Sequence, residues 1–245
     1  MSSTYTFILS LLLFVGFSSS KKIPPYLTLC SRHDPNLNEC VKNAVEQLRP
    51  HLALGVPELL LPPMDPLVLP EAGLSSGDNF KASFKNIQIY YANEFRIDNL
   101  NVNLDKYHID LELSFPRLRI LSQYNIDGRI LVLQLHGHGP ADGNFTDVSA
   151  NAAFEGELKS KKGKEYITIK SVKVDLKIGK PFFQFENIFN GNEELNVQTN
   201  KIINENVVDI IDELRPVIDK TVTDFAIGIV SRVFNRFSFD ELFPK

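Results

Sequence analysis

The sequence predicts an α+β fold in which one long C-terminal α-helix is wrapped by a strongly curved antiparallel β-sheet, with a short helix near the N-terminus. Two patterns carry this reading. Between residues 195 and 234 apolar side chains recur at Ile203, Val207, Ile210, Leu214, Val217, Thr221, Phe225, Ile229 and Val233. The steps are threes and fours, which is one stripe along a helix. From Phe80 to Phe185 the period changes to two, the signature of strands. About 40 helical residues make a rod of roughly 60 Å. A stripe of that length needs an apolar partner surface just as long, and one large sheet supplies it by curling around the helix. The product is an elongated apolar interior, which points to apolar ligands.

The first segment stands apart from this plan. Phe7 to Phe17 is apolar except for Ser10 and Gly16, and Ser18, Ser19 and Ser20 follow. That is the form of a secretory signal peptide, too short to span a bilayer. The expected division is 1–20 as signal peptide and 21–245 as one domain, with a secreted, extracellular product. No later apolar run is long enough for a transmembrane helix. Cys30 and Cys40 are the two cysteines of the chain. In an exported protein such a close pair is expected to form one disulfide, tying the N-terminal arm to the first helix. Two thiols do not make a four-ligand zinc site.

Asp34-Pro35 is expected to open that first helix, with Leu37, Val41, Ala44 and Leu48 as its apolar face. Pro50 is expected to end it. Pro50, Pro57, Pro62, Pro63, Pro66 and Pro70 then punctuate a leucine-rich stretch that reads as an extended connector packed along the body. Within the sheet region Ile109, Leu111, Leu113 and Phe115 alternate with polar residues, Ile130 to Leu135 is more uniformly apolar, and Val172, Val174, Leu176 and Ile178 continue the pattern. Turn signals fall at Asn99, Asp127-Gly128, Gly137 to Gly143, Lys161 to Gly163 and Gly179 to Pro181. Asn144-Phe145-Thr146 is a glycosylation sequon placed by these glycines in an exposed turn. In the long helix Glu193 and Glu194 suit the N-terminal dipole and Arg232 and Arg236 the C-terminal one. Pro216 is expected to kink it.

Reactive chemistry is sparse. The net charge is −4, which argues against a nucleic-acid partner. His136 and His138 share a strand face without a third ligand beside them and read as surface histidines. No nucleophile elbow, phosphate-binding glycine loop or zinc-protease motif appears. No cofactor, metal or catalytic residue is expected. Lys159, Lys161, Lys162 and Lys164 form a charged hairpin tip that discourages edge pairing; a transient lipid-headgroup or receptor contact is the alternative reading. The chain has 18 Phe and no Trp, so aromatic core and aromatic pocket wall must both come from phenylalanine, with Tyr90, Tyr91, Tyr107 and Tyr124 available as polar ends.

Several stretches together resemble one family. Cys30 and Cys40 lie ten residues apart. "LRPHLALGVPELLLPPMDPLVLPE" runs from Leu48 to Glu71, "GHGP" from Gly137 to Pro140, "FENIFNGNEELNVQTNKIINEN" from Phe185 to Asn206, and "FSFDELFPK" ends the chain. This ordered set is similar to the takeout / juvenile-hormone-binding family of secreted insect proteins, over nearly the whole mature chain. Juvenile-hormone carriers usually have a second disulfide further along. This chain has no cysteine after Cys40, so it is more similar to the takeout branch.

The resemblance implies a tubular lipid-binding-like fold with an internal tunnel for an apolar ligand. Inward side chains of both layers are expected to line it: Phe84, Phe115, Leu133 and Phe154 from the sheet, and Val207, Ile211, Leu214, Ile218 and Phe225 from the helix. Tyr124, in "YNIDGRILVL", matches the family's polar tunnel tyrosine. Plain core packing is the competing reading for every one of them, because core and tunnel stripes share a period. The expected function is a secreted, monomeric, non-enzymatic carrier of a terpenoid, fatty acid or related lipid. A membrane-surface lipid-transfer protein is the alternative. An esterase would need a Ser–His–acid set for which no serine motif is present.

Overall fold

The computed structural model describes residues 22–76, 79–189 and 191–245. The expected signal segment lies outside them. Seven strands form one antiparallel sheet: β1 Leu67–Ser76, β2 Phe80–Tyr90, β3 Arg96–Asn103, β4 His108–Ile130, β5 Leu133–Lys161, β6 Lys164–Lys177 and β7 Lys180–Phe185. Its spine is the β4–β5 hairpin, strands of 23 and 29 residues. β3 and β2 share the free edge of β4 in succession, β6 and β7 share that of β5, and β1 adds to β2. Four α-helices, α1 Leu37–Leu52, α2 Glu193–Glu205, α3 Val207–Arg236 and α4 Phe239–Leu242, and two short 3-10 turns, Pro57–Leu59 and Ala92–Glu94, complete the described chain.

The expected single rod is two helices. α2 and α3 meet at Asn206, which leaves helical geometry (φ −115°, ψ 17°) while its amide N–H and side-chain Nδ2 cap the Ile202 and Ile203 carbonyls. α3 alone is 30 residues, about 45 Å long. It runs through Pro216, whose exposed position places the missing amide where solvent can serve the freed carbonyl. α1 likewise starts later than expected, after Asn36, because the Asp34 carboxylate accepts the Asn36 N–H in a local turn instead of capping the helix. It continues past Pro50 to Leu52. The proline connector ends sooner than expected: β1 starts at Leu67 and includes Pro70, which an edge strand tolerates.

Three of the expected turns are strand interior. Asn99 sits in β3, Asp127-Gly128 in β4, and Gly137 to Gly143 in β5. The glycines there serve close approach rather than reversal of the chain. A Cβ on Gly137 would lie 2.6 Å from Ile188 Cα, and one on Gly139 would lie 2.8 Å from the Glu186 carbonyl oxygen, so the segment after β7 crosses directly over them. The turns at Lys162-Gly163 and between β6 and β7 fall where expected.

The sheet curves through slips in its alternation. On β4 the inward row Ile109, Leu111, Leu113, Phe115 resumes at Leu118 after two consecutive exposed residues, Pro116 and Arg117. Opposite, Val148 and Phe145 bracket exposed Asp147 and Thr146, and Asp147 has φ 57°. Pro116 donates no hydrogen bond, and the buried alternation of both strands changes phase there while the register holds. β2 and β6 change phase at register shifts instead, β2 at Lys85-Asn86 with Asn86 at φ 52°, and β6 at Lys170-Ser171.

The free edge of β7 is sealed by side chains. Asn196, Asn200 and Asn204 stand one turn apart on α2. Their Oδ1 atoms accept the N–H groups of Ile188, Phe185 and Phe183 at 2.9, 2.7 and 2.8 Å. Asn200 and Asn204 also donate Nδ2 to the carbonyls of Phe185 and Phe183. A ladder of primary amides thereby imitates the next strand.

Candidate functional site: a half-covered apolar interior

The packed core lies at the two ends of the molecule. At one end Phe80, Tyr124, Ile126, Ile130, Leu135, Phe185, Ile188, Ile203 and Leu214 are buried together. At the other, Leu48, Leu52, Val56, Phe95, Ile97 and Phe237 form one cluster, and Ile167, Phe234, Phe239 and Phe243 a second. α3 connects the ends, antiparallel to β6: the Arg215 guanidinium donates to the Leu176 carbonyl at 2.6 Å, while Phe234 packs with Ile167. Its backbone comes near both sheet edges, β6 and β1, and stands farther from the central β4 and β5.

Between the ends, apolar side chains on both layers are only half-covered. On α3 Val207, Ile211 and Leu214 are buried, then no residue from Arg215 to Val233 is, and Phe234 is buried again. The sheet shows the same interruption. On β4, Leu118 and Ile120 are half-buried while Tyr124 and Ile126 are buried. Cross-strand rows Leu113–Ala150–Leu176 and Leu111–Ala152–Val174 run across the centre, with alanines where β5 faces the gap between larger neighbours. Ala150, Ala152, Val174, Leu176, Val217, Val222, Phe225, Ala226 and Ile229 belong to none of the three packed clusters. The local sequence builds this zone directly: "TVTDFAIGIV" from Thr221 to Val230 has one charged residue, Asp224, and that side chain is exposed.

The expected lining residues divide between packed ends and open middle. Phe84, Leu133 and Ile218 pack on the first end cluster, and Leu214 and Tyr124 are inside it. Val207 and Ile211 are buried outside the three clusters. Phe115 borders the opposite cluster, 6.4 Å from the Phe95 ring, and Phe154 is buried. Phe225 is the expected residue that falls in the half-covered stretch of α3 outside every cluster. Ala150 and Ala152 escaped the sequence reading because an alanine carries no hydrophobic emphasis. Their signal was smallness in the middle of an otherwise bulky strand.

The Tyr124 hydroxyl donates to the Glu186 carbonyl at 2.6 Å, and the ring meets Phe185 edge-on. Its oxygen therefore offers a ligand only an acceptor lone pair. Burial, and secondly the Glu186 carboxylate, push its pKa from 10.0 up to about 12. The raised value favours the protonated folded form, so this contribution is complete below pH 10 and lost as pH rises through about 12. Tyr124→Phe is expected to lower stability at neutral pH by about 0.5–1.5 kcal/mol and to flatten the loss between pH 10 and 12. Denaturant titrations at several pH values check both.

Elsewhere the surface groups resolve simply. Cys30 and Cys40 are bonded, 5.8 Å apart at Cα, joining the arm to α1. Asn144 is exposed in β5, not in a turn, and its Nδ2 donates to Asp142. His136 and His138 are exposed, and His136 contacts Asp127 at 3.0 Å. At the lysine-rich tip Lys159 pairs with Glu157 and Lys164 with Glu241. Among the described residues no cluster of three or more His, Cys, Asp or Glu is placed to hold a metal. No described helix is long and apolar enough to cross a membrane. Two surface clefts of about 450 Å³ each flank β7 and α2, lined by residues such as Gln184, Asn196 and Asn200. They share no residue with the half-covered zone.

A long helix carried inside a curved antiparallel sheet, with its apolar faces incompletely closed, defines a takeout-like binding protein rather than an enzyme. The family model of haemolymph juvenile hormone binding protein matches residues 8–244, and the chain belongs to that family. It is similar to the circadian clock-controlled protein daywake of Drosophila melanogaster, 24% identical over 93% of this chain and 90% of that one. A putative beta-carotene-binding protein of Schistocerca gregaria is 24% identical over 86% of this chain and 85% of its own. In fold it is similar to the crystal structure of Epiphyas postvittana Takeout 1, with a TM-score of 0.76 and 20% identity over 89% of this chain and 99% of that one.

Proposed function

We propose that this chain is an exported carrier of one elongated apolar molecule, a terpenoid, fatty acid or related lipid, held between α3 and the centre of the sheet. One observation carries the reading: the inner apolar faces are closed at both ends and half-covered for the length between them. Bare apolar surface is unfavourable in water by roughly 25 cal/mol per Å², and an apolar guest removes it. The zone from Val217 to Val233 extends about 24 Å along α3, which suits a chain-like guest over a compact one. Phe115, Phe154 and Phe225 would border the guest, with Tyr124, Phe84, Leu133, Val207, Ile211, Leu214 and Ile218 closing one end. Membership of a haemolymph family and the bonded cysteines support export after loss of residues 1–20. Asn144 is exposed, as glycosylation requires. Protein secreted from cultured cells is expected to release a co-purified lipid on extraction, or to bind chain-like lipids saturably by native mass spectrometry. Absence of micromolar or tighter binding to any of them would overturn the reading.

A second reading, transfer at a membrane surface, is favoured by the β4–β5 turn. Leu131 and Val132 form it, 42% and 88% exposed, where turns normally carry Asn or Gly. Co-sedimentation with lipid vesicles separates the two, since a purely soluble carrier stays in the supernatant.

A further inference from the structure

We infer that Arg236 anchors the head of an anionic guest, so that the molecule carried is a long-chain carboxylate; this rests on the carrier reading and narrows it. Arg236 is the last residue of α3. Its Nε and Nη2 are shut off from solvent and have no hydrogen-bond partner. The Phe237 ring centroid lies 5.8 Å from the guanidinium carbon. Five other arginines are served by acceptors: Arg32 by the Phe243 carbonyl, Arg49 by Glu46, Arg117 by Glu94, Arg119 by Asp142 and Arg215 by Leu176. Buried N–H donors without an acceptor are costly, and orphaned donors of this kind call for a partner.

Its position supplies one. Val233, one turn earlier, and Phe237, the next residue, both pack in the cluster bordered by Leu111, Leu113 and Phe115. Leu111 and Leu113 belong to the cross-strand rows that floor the half-covered zone. Arg236 therefore stands at one end of that zone, with Nε and Nη2 out of contact with water. Asp219, also on α3, has one carboxylate oxygen, Oδ1, buried without a partner. It lies 17 residues back, about 25 Å along the axis, too far to neutralise Arg236. Its negative charge disfavours a second anion and orients the guest head-first toward Arg236. A planar guanidinium matches the two oxygens of a carboxylate. A single negative charge neutralises a single buried cation, whereas a phosphomonoester dianion would leave excess charge out of water.

The test is calorimetric titration of the delipidated full secreted chain with palmitate and with cetyl alcohol, which share a tail and differ at the head. The wild-type protein is expected to bind palmitate roughly ten- to a hundredfold more tightly, the worth of a charged hydrogen bond. Arg236→Met is expected to remove that preference by weakening palmitate while cetyl alcohol is unchanged, and Arg236→Lys to keep part of it. Removing two buried, unpaired donors is expected to leave the melting temperature unchanged or raised. If Arg236→Met does not fold, the wild-type comparison decides alone. Equal binding of the two lipids to wild type, or a palmitate preference that survives Arg236→Met, overturns the anchor and leaves the carrier reading intact. If neither these nor any neutral chain-like lipid binds, both fall.

Discussion

Asn200→Ala is expected to lower the free energy of unfolding by about 2–5 kcal/mol, as much as truncating a large core side chain. Asn200 is 4% exposed, and its amide closes both the N–H and the C=O of Phe185, at 2.7 and 2.8 Å. Alanine leaves both backbone groups unpaired in a place that water does not reach, and each costs about 1–3 kcal/mol. Asn196→Ala loses one such bond, to Ile188, and is expected to cost less. Asn204→Ala, half-buried, is expected to be milder again than Asn200→Ala because water can replace part of its pairing. The released edge of β7 also becomes available to other chains, so the variant is expected to aggregate at concentrations where wild type does not. Denaturant unfolding with light scattering reads both effects. A loss below about 1 kcal/mol for Asn200→Ala would mean that the ladder contributes no more than an ordinary hydrogen bond.

Ala152→Phe is expected to weaken ligand binding roughly a hundredfold or more, about 3 kcal/mol, with little change in melting temperature. Ala152 lies between Leu111 and Val174 in the half-covered middle of the sheet. A ring there occupies the guest's place and covers apolar surface that is otherwise bare. The control is Leu214→Phe. Leu214 is buried inside the packed end cluster, where overpacking costs about 1–3 kcal/mol. Retained affinity in Ala152→Phe would remove the middle of the sheet from the binding site. Equal destabilisation of both variants would mean that the middle is packed as tightly as the ends.

The elements were legible in different degrees. The helical stripe identified α3 because apolar steps of three and four admit no other regular structure. It passed over the break at Asn206, since the stripe continues on both sides and only the local cap interrupts the helix. The glycines between Gly137 and Gly143 read as a turn, because sequence alone does not separate a glycine that reverses the chain from one over which another segment passes. The phase slip at Pro116 is written in the sequence as Phe115-Pro116-Arg117-Leu118, two apolar residues separated by three positions where alternation demands two. Its meaning, a change of phase shared with Asp147 on β5, depends on the partner strand. The asparagines of α2 gave no signal of their own, as polar residues on a helix ordinarily face water.

By itself the sequence determined the class of fold, the apolar interior and its family, because these follow from periodicity and from ordered motifs that local chemistry enforces. It also determined which stretches are apolar and with what period. Tertiary structure alone decided which of those are packed and which are left half-covered. Leu214 and Phe225 occupy the same stripe of the same helix and have the same period, yet one is closed over by Tyr124, Ile203 and their neighbours while the other is half-buried outside every packed cluster. The difference lies in how elements distant in the chain come together around the helix. The same holds for Arg236. The sequence placed a cation at a helix C-terminus, where the dipole welcomes it; only the packing around it removed the water and left two of its nitrogens without a partner.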